Sequence, residues 1–134
     1  MRNKPLVLIV EDDPWIRGIS SELLEDEGFV VASAPDGEAG LNIAERLRPA
    51  AILLDLGLPH MSGGEFLRRL RGRDSLCATP VIVVSGQPEA ASQDATVLAD
   101  GFLRKPVDLT ELMRQVQAAT AAAATLEPGV AVVA

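Results

Sequence analysis

Short unbroken apolar runs alternate along this chain with longer stretches in which apolar residues recur every three or four positions. Leu6-Val-Leu-Ile-Val10 is rich in β-branched residues and has no polar interruption, which suits a central parallel strand buried on both faces. It gives way to Glu11-Asp-Asp13-Pro14. Proline is at home in a first helical turn, so Asp13 can cap a helix with Ile16, Ile19, Leu23 and Leu24 as its apolar face, stopped by Gly28. Phe29 to Ala32 reads as a second strand. Asp36-Gly37 then opens a helix with Leu41, Ala44 and Leu47 on one side, ended before Pro49. Ala51-Ile-Leu-Leu-Asp55 is a third buried strand, broken by Gly57 and Pro59 into a loop that lasts to Gly64. The next helix carries Phe66, Leu67 and Leu70 inward and its arginines outward. Pro80-Val-Ile-Val-Val84 is a fourth strand, terminated by Ser85-Gly86. Residues 89–98 read as a weak alanine-rich helix, and Gly101-Phe-Leu-Arg104 as a fifth strand that stops at Lys105-Pro106. Asp108-Leu-Thr-Glu111 has the spacing of a capping box ahead of a closing helix with Leu109, Leu112, Met113 and Val116 on its apolar side.

Five strands alternating with five helices through short connections predict an α/β domain. It is a doubly wound, five-stranded parallel sheet with helices on both faces and right-handed crossovers. The domain is expected over residues 5–120, with 121–134 a C-terminal extension or linker stub, loosely ordered from Thr125.

Composition narrows the partners. The chain has 134 residues, enough for one domain with an aliphatic core, since it holds three Phe, one Trp and no Tyr. A net charge of -7 argues against a nucleic-acid or anionic-membrane surface, either of which needs a basic stripe. The one basic cluster, Arg68-Arg69-Leu-Arg71-Gly-Arg73, reads as the solvated face of a helix. Cys77 is the single cysteine, which excludes an intramolecular disulfide and fits a reducing, cytoplasmic setting. The N-terminus does not read as a signal peptide, and no apolar stretch is long enough to span a bilayer.

Candidate chemistry follows from topology. All strands of a parallel sheet point their C-terminal ends to one edge, so residues just past different strands converge. Here these are Glu11, Asp12 and Asp13 after the first strand, Asp55 at the third, Ser85 after the fourth and Lys105 after the fifth. Clustered carboxylates repel one another and favour proton uptake. A hard divalent cation such as Mg²⁺ resolves this, typically bound by one or two carboxylates with a phosphate completing its shell. Lys105 then supplies a point charge for a phosphoryl oxygen, the Ser85 hydroxyl a hydrogen bond, and Asp55 a nucleophile that forms an acyl phosphate. Taken singly, each residue is an ordinary strand-end cap, turn or solvated loop; their combination on one edge carries the inference. His60 reads as a solvated loop residue, Cys77 as inert, and Trp15 as a partly exposed reporter beside the acids.

In these features the sequence resembles the receiver domain of two-component response regulators. The matching stretches are Val10-Glu-Asp-Asp13, Asp55-Leu-Gly-Leu-Pro-His-Met-Ser-Gly63, Ser85-Gly86 and Phe102-Leu-Arg-Lys-Pro106, and the resemblance covers roughly residues 5–120. It implies that Asp55 accepts a phosphoryl group from a sensor histidine kinase or a histidine phosphotransfer protein. It further implies that Asp13, Asp55 and the Gly57 carbonyl oxygen bind Mg²⁺ directly, with Asp12 acting largely through water. Ser85 and Lys105 would engage the phosphoryl group, and Phe102 would be the switch aromatic, without the hydroxyl of a tyrosine. Its movement would reshape the face made by the fourth predicted helix, the fifth strand and the fifth predicted helix. That face would also serve any homodimer formed on phosphorylation. The resemblance implies a cis peptide between Lys105 and Pro106 and, as activity, self-dephosphorylation at most. The output partner is not legible.

A Mg²⁺-dependent phosphohydrolase with an aspartate nucleophile is the alternative. Such enzymes usually place a second Asp two positions on, where this chain has Gly57. A flavin or nucleotide binder would need a glycine-rich phosphate loop, and the first loop here is acidic.

Overall fold

The computed structural model describes residues 4–86 and 97–124. Five strands, β1 (Leu6–Val10), β2 (Val30–Ala34), β3 (Ala51–Asp55), β4 (Val81–Ser85) and β5 (Gly101–Arg104), form one sheet in the order β2-β1-β3-β4-β5. Every pairing is parallel, as the doubly wound expectation requires. Among the described residues the helices are α1 (Pro14–Asp26), α2 (Gly37–Leu47), α3 (Gly63–Arg71) and α4 (Leu109–Ala124). The helix expected over 89–98 falls mostly outside the described residues, which resume with Val97 and Leu98 in helical conformation.

The uninterrupted apolar runs are explained by a core on each face of the sheet. On β1, Leu8 and Val10 enter a cluster with Leu41 and Ala44 of α2 and Phe66, Leu67 and Leu70 of α3. Val7 and Ile9 enter the opposite cluster with Leu24 of α1 and Leu112 and Val116 of α4. Successive side chains of a strand point to opposite faces, so a strand covered on both sides has no polar position to spare.

Several boundaries and faces differ from expectation for physical reasons. β2 starts at Val30, because Gly28 turns the chain at φ 95° and the Phe29 N–H returns to the Leu24 carbonyl at 3.1 Å, closing α1. β4 starts at Val81, since Pro80 has no N–H and gives the ladder only its carbonyl, to Ile52 N at 2.9 Å. Ile16 and Ile19, expected inward, are 39% and 41% exposed, while Leu24 is fully buried. Leu47 and Leu109 are likewise about half exposed. Near the N-termini of α1 and α4 the two helices leave a cavity of about 350 Å³ whose lining includes Ile16, Ile19, Leu53, Leu109 and Leu112.

The closing helix starts as its capping signal implies, with Glu111 N donating to Asp108 Oδ1 at 3.0 Å. The reciprocal half of the box is replaced, because Arg114 and Gln115 engage the Glu111 carboxylate. Arg114 holds that carboxyl down at about 2. α4 extends to Ala124, so the helix continues through residues 121–124. Arg71 also departs from the solvated role read for its cluster. Its guanidinium donates to Leu98 O, Thr79 O, Cys77 O and the Asp100 carboxylate, with only 17% of the side chain exposed.

Candidate functional site

The strand order places the site. The chain leaves β1 toward β2 on one side and returns to β3 on the other, so the connections diverge and open a crevice beyond the ends of β1 and β3. Val10 pairs with Leu54, which brings Glu11 level with Asp55. Asp55 pairs with Val84, and Ser85 pairs with Arg104, so Ser85 falls one step and Lys105 two steps further along the same edge. The Lys105 N–H donates to the Ser85 carbonyl at 2.9 Å and links these two positions through the backbone.

Asp55 is 8% exposed. Its Oδ1 accepts from Gly57 N at 3.1 Å and lies 3.4 Å from Lys105 Nζ. The same ammonium is 3.9 Å from Glu11 Oε1. Glu11, Asp12 and Asp55 each present a carboxylate oxygen within 4.8 Å of the others. Burial raises the Glu11 carboxyl from 4.5 to about 7; Asp55 and Asp12 push the same way, and the bond from Asp13 N partly opposes them.

Asp13 is not in this group. Its Oδ1 accepts from Trp15 N at 2.9 Å and Ile16 N at 3.3 Å, so the carboxylate is committed to capping α1. The acidic pair that meets Asp55 is therefore Glu11 and Asp12, one residue earlier than the Asp12 and Asp13 expected. The signal was present in the apolar run. β1 ends at Val10, and Pro14 in the first turn fixes the residue before it as the cap.

Arg17 was not read as part of the site at all. Its Nη1 donates to the Glu11 carbonyl at 2.9 Å and the Asp12 carbonyl at 3.3 Å. Gly57 is exposed, and a Cβ there would lie 3.7 Å from both Asp55 oxygens, so glycine keeps that side of the carboxylate open. Ser85 is 8% exposed. Phe102 is half-buried, packs on the core cluster shared with α2 and α3, and its carbonyl accepts from Gln115 Nε2 at 3.0 Å. The Lys105–Pro106 peptide is cis. His60 is exposed with φ 66°, Cys77 is exposed, and Trp15 is 75% exposed.

Three clustered carboxylates, two of them within 4 Å of Lys105 Nζ, form an all-oxygen donor set that matches a hard divalent cation in chemistry and charge. A parallel sheet in this order, with an acidic crevice at the β1/β3 switch point and a lysine past β5, defines a phosphoryl-handling α/β domain. The family model of the response regulator receiver domain matches residues 7–117, and the chain belongs to that family.

Among similar proteins, the KDP operon transcriptional regulatory protein KdpE of Escherichia coli is 40% identical over 115 residues, covering 84% of this chain and 50% of the regulator. The chain spans about half the length of the transcriptional regulators it matches. The chemotaxis response regulator CheY4 of Vibrio cholerae superposes with a TM-score of 0.80 at 31% identity, covering 87% of this chain and 99% of CheY4. The receiver domain of the Pseudomonas aeruginosa sensor histidine kinase PA1611 superposes with a TM-score of 0.82 at 26% identity, covering 89% and 99%. That structure has a magnesium ion coordinated in its active-site cleft. Receiver domains are signalling modules. Among the described residues, no helix is long and apolar enough to cross a membrane.

Proposed function

We propose that the chain acts as the phosphoacceptor of a cytoplasmic two-component phosphorelay, with Asp55 taking the phosphoryl group. The observation that carries this reading is the meeting of Asp55 with Glu11, Asp12 and Lys105 at the β1/β3 crevice. An Asp55 carboxylate oxygen attacks the phosphorus of a phosphohistidine. A P–O bond forms as the P–N bond breaks, and the electron pair leaves with the imidazole nitrogen. Glu11, Asp12, Asp55 and the Gly57 carbonyl oxygen are the groups that would hold Mg²⁺, which when bound neutralises charge on the phosphoryl oxygens. Lys105, already 3.4 Å from Asp55, pairs with the same oxygens. Ser85, buried at the end of β4, donates its hydroxyl to the new group. Phe102 relays the change to the face of β5 and α4.

A phosphoryl group brings about -1.5 to -2 charges, and it shifts a two-state element only through contacts that differ between the states. Ser85 and Lys105 supply those contacts. The partner that fits is a sensor histidine kinase or a histidine phosphotransfer protein, and a net charge of -7 favours protein contacts over nucleic acid for this domain. Gly57 brings no general acid beside Asp55, which speaks for a phosphorylated module over a phosphohydrolase.

The test is intact-mass measurement after incubation with Mg²⁺ and acetyl phosphate. Wild type gains the mass of one phosphoryl group, Asp55→Asn gains none, and chelating Mg²⁺ abolishes the gain. Uptake by Asp55→Asn, or steady release of phosphate from added phosphoesters without an adduct, contradicts the reading.

A further inference from the structure

We propose that Arg17 is a positioning residue of the acidic crevice, fixing the backbone that carries Glu11 and Asp12 so that their carboxylates are set for a divalent cation. This rests on the reading of the crevice as a Mg²⁺-dependent phosphoacceptor site.

The turn between β1 and α1 is held at three points. The Glu11 N–H donates to the Ala34 carbonyl of β2 at 3.0 Å, which continues the ladder by one residue. Asp13 is fixed by its cap, and its carbonyl accepts from Arg17 N at 2.9 Å in the first turn of α1. Between them, the Glu11 and Asp12 carbonyls converge on the one nitrogen of Arg17, at 2.9 and 3.3 Å. The Asp12 side chain is exposed, without packing around it to set its direction. Its direction follows from its two peptide planes, and Arg17 holds both, through the Glu11 carbonyl before it and the Asp12 carbonyl after it. A guanidinium suits this task because the two hydrogens of Nη1 lie in one fixed plane and can serve both acceptors, whereas a lysine ammonium is a flexible point charge.

Arg17 could instead act only as a fixed cation that offsets the carboxylates. The two roles predict opposite signs. Removing a cation beside a metal site makes the site more negative and tightens Mg²⁺ binding. Removing a positioning group lets the ligands spread and weakens binding, and loss of such outer partners lowers metal affinity roughly 10–100-fold. The guanidinium donates to carbonyl oxygens, the contacts of a group that holds backbone.

The experiment is calorimetric titration of Mg²⁺ into the full chain as wild type, Arg17→Met and Arg17→Lys, with thermal unfolding to establish that each is folded. Hydrogen exchange of the Asp12 and Asp13 amides is measured in the metal-free proteins. Both variants are expected to bind Mg²⁺ on the order of 10-fold more weakly, with Lys recovering only part of the loss and with faster exchange at 12 and 13. Arg17→Lys decides the matter if Arg17→Met does not fold. Unchanged or tighter binding by Arg17→Met, or full recovery by Lys, overturns the proposal and leaves the phosphoacceptor reading intact. A wild type that binds no Mg²⁺ sinks both.

Discussion

The two edges of the sheet hold charge in opposite ways. At the N-terminal edge, where β4 and β5 begin, Arg71 donates to three backbone carbonyls and to Asp100, and Asp100 accepts from Val81 N at 2.8 Å. Its donors are matched by acceptors in hydrogen-bond range. At the C-terminal edge, Glu11, Asp12 and Asp55 gather their carboxylates, and the Lys105 ammonium reaches Asp55 at 3.4 Å and Glu11 at 3.9 Å. A buried group that is fully satisfied rigidifies a structure, whereas one left short of partners is costly and persists where a ligand can supply what is missing. Charge thus holds the architecture at one edge and is left open to a ligand at the other.

Removing Arg71 is the largest break in this contrast. Arg71→Met leaves the Leu98 and Thr79 carbonyls and the Asp100 carboxylate without their cation, and is expected to cost about 3 kcal/mol. Urea unfolding reads the loss. Below its own midpoint the variant should still take up one phosphoryl group from acetyl phosphate, because Arg71 is at the far edge. Loss of uptake in a folded variant would show that the edges are coupled.

The second break is at the acidic edge and is read through pH. In metal-free protein the Glu11 carboxyl sits at about 7, against 4.5 when unfolded. Between those values the folded chain binds more protons than the unfolded one, so this group's contribution is fully present below 4.5 and is lost as pH rises through 7. Glu11→Gln keeps an oxygen acceptor for Asp13 N but removes the titration. In the presence of a chelator, the stability of Glu11→Gln relative to wild type should therefore rise from pH 4.5 to above 7. A difference that stays flat over that window would falsify the assignment of the raised carboxyl to Glu11.

Most of the fold was legible because local signals agreed. Continuous apolar runs placed the five strands, and Pro14, Asp36 and Asp108 placed three helix starts, as their caps now show. Asp55 and Lys105 were legible for the same reason, since each terminates a strand. The acidic pair was misplaced by one residue because Asp13 can serve as either ligand or cap in sequence, and only the helix axis decides. Exposure on α1 was missed because a helical wheel does not say what lies opposite. Ile16 and Ile19 belong to turns that α4 does not cover, whereas Leu24 meets the sheet. Arg17 and Arg71 were missed for a shared reason. Apart from the Asp100 carboxylate, their acceptors are backbone carbonyls, which every residue has, so no side-chain pattern announces them.

The smallest effect comes from the same arginine run and isolates burial as the cause. Arg69, two residues before Arg71, bridges Glu38 at 3.1 Å and Glu65 at 2.6 Å, yet 47% of its side chain is exposed. Water solvates both partners when it is removed, so Arg69→Ala should cost no more than about 0.5–1 kcal/mol. Salt separates the two positions further. The screening length falls from about 10 Å at 0.1 M to about 3 Å at 1 M, which weakens exposed pairs and leaves buried hydrogen bonds nearly untouched. Urea unfolding in 1 M sodium chloride should therefore shrink the cost of Arg69→Ala while that of Arg71→Met persists. If both costs fall together, Arg71 is acting through long-range charge and the contrast between the two edges is wrong.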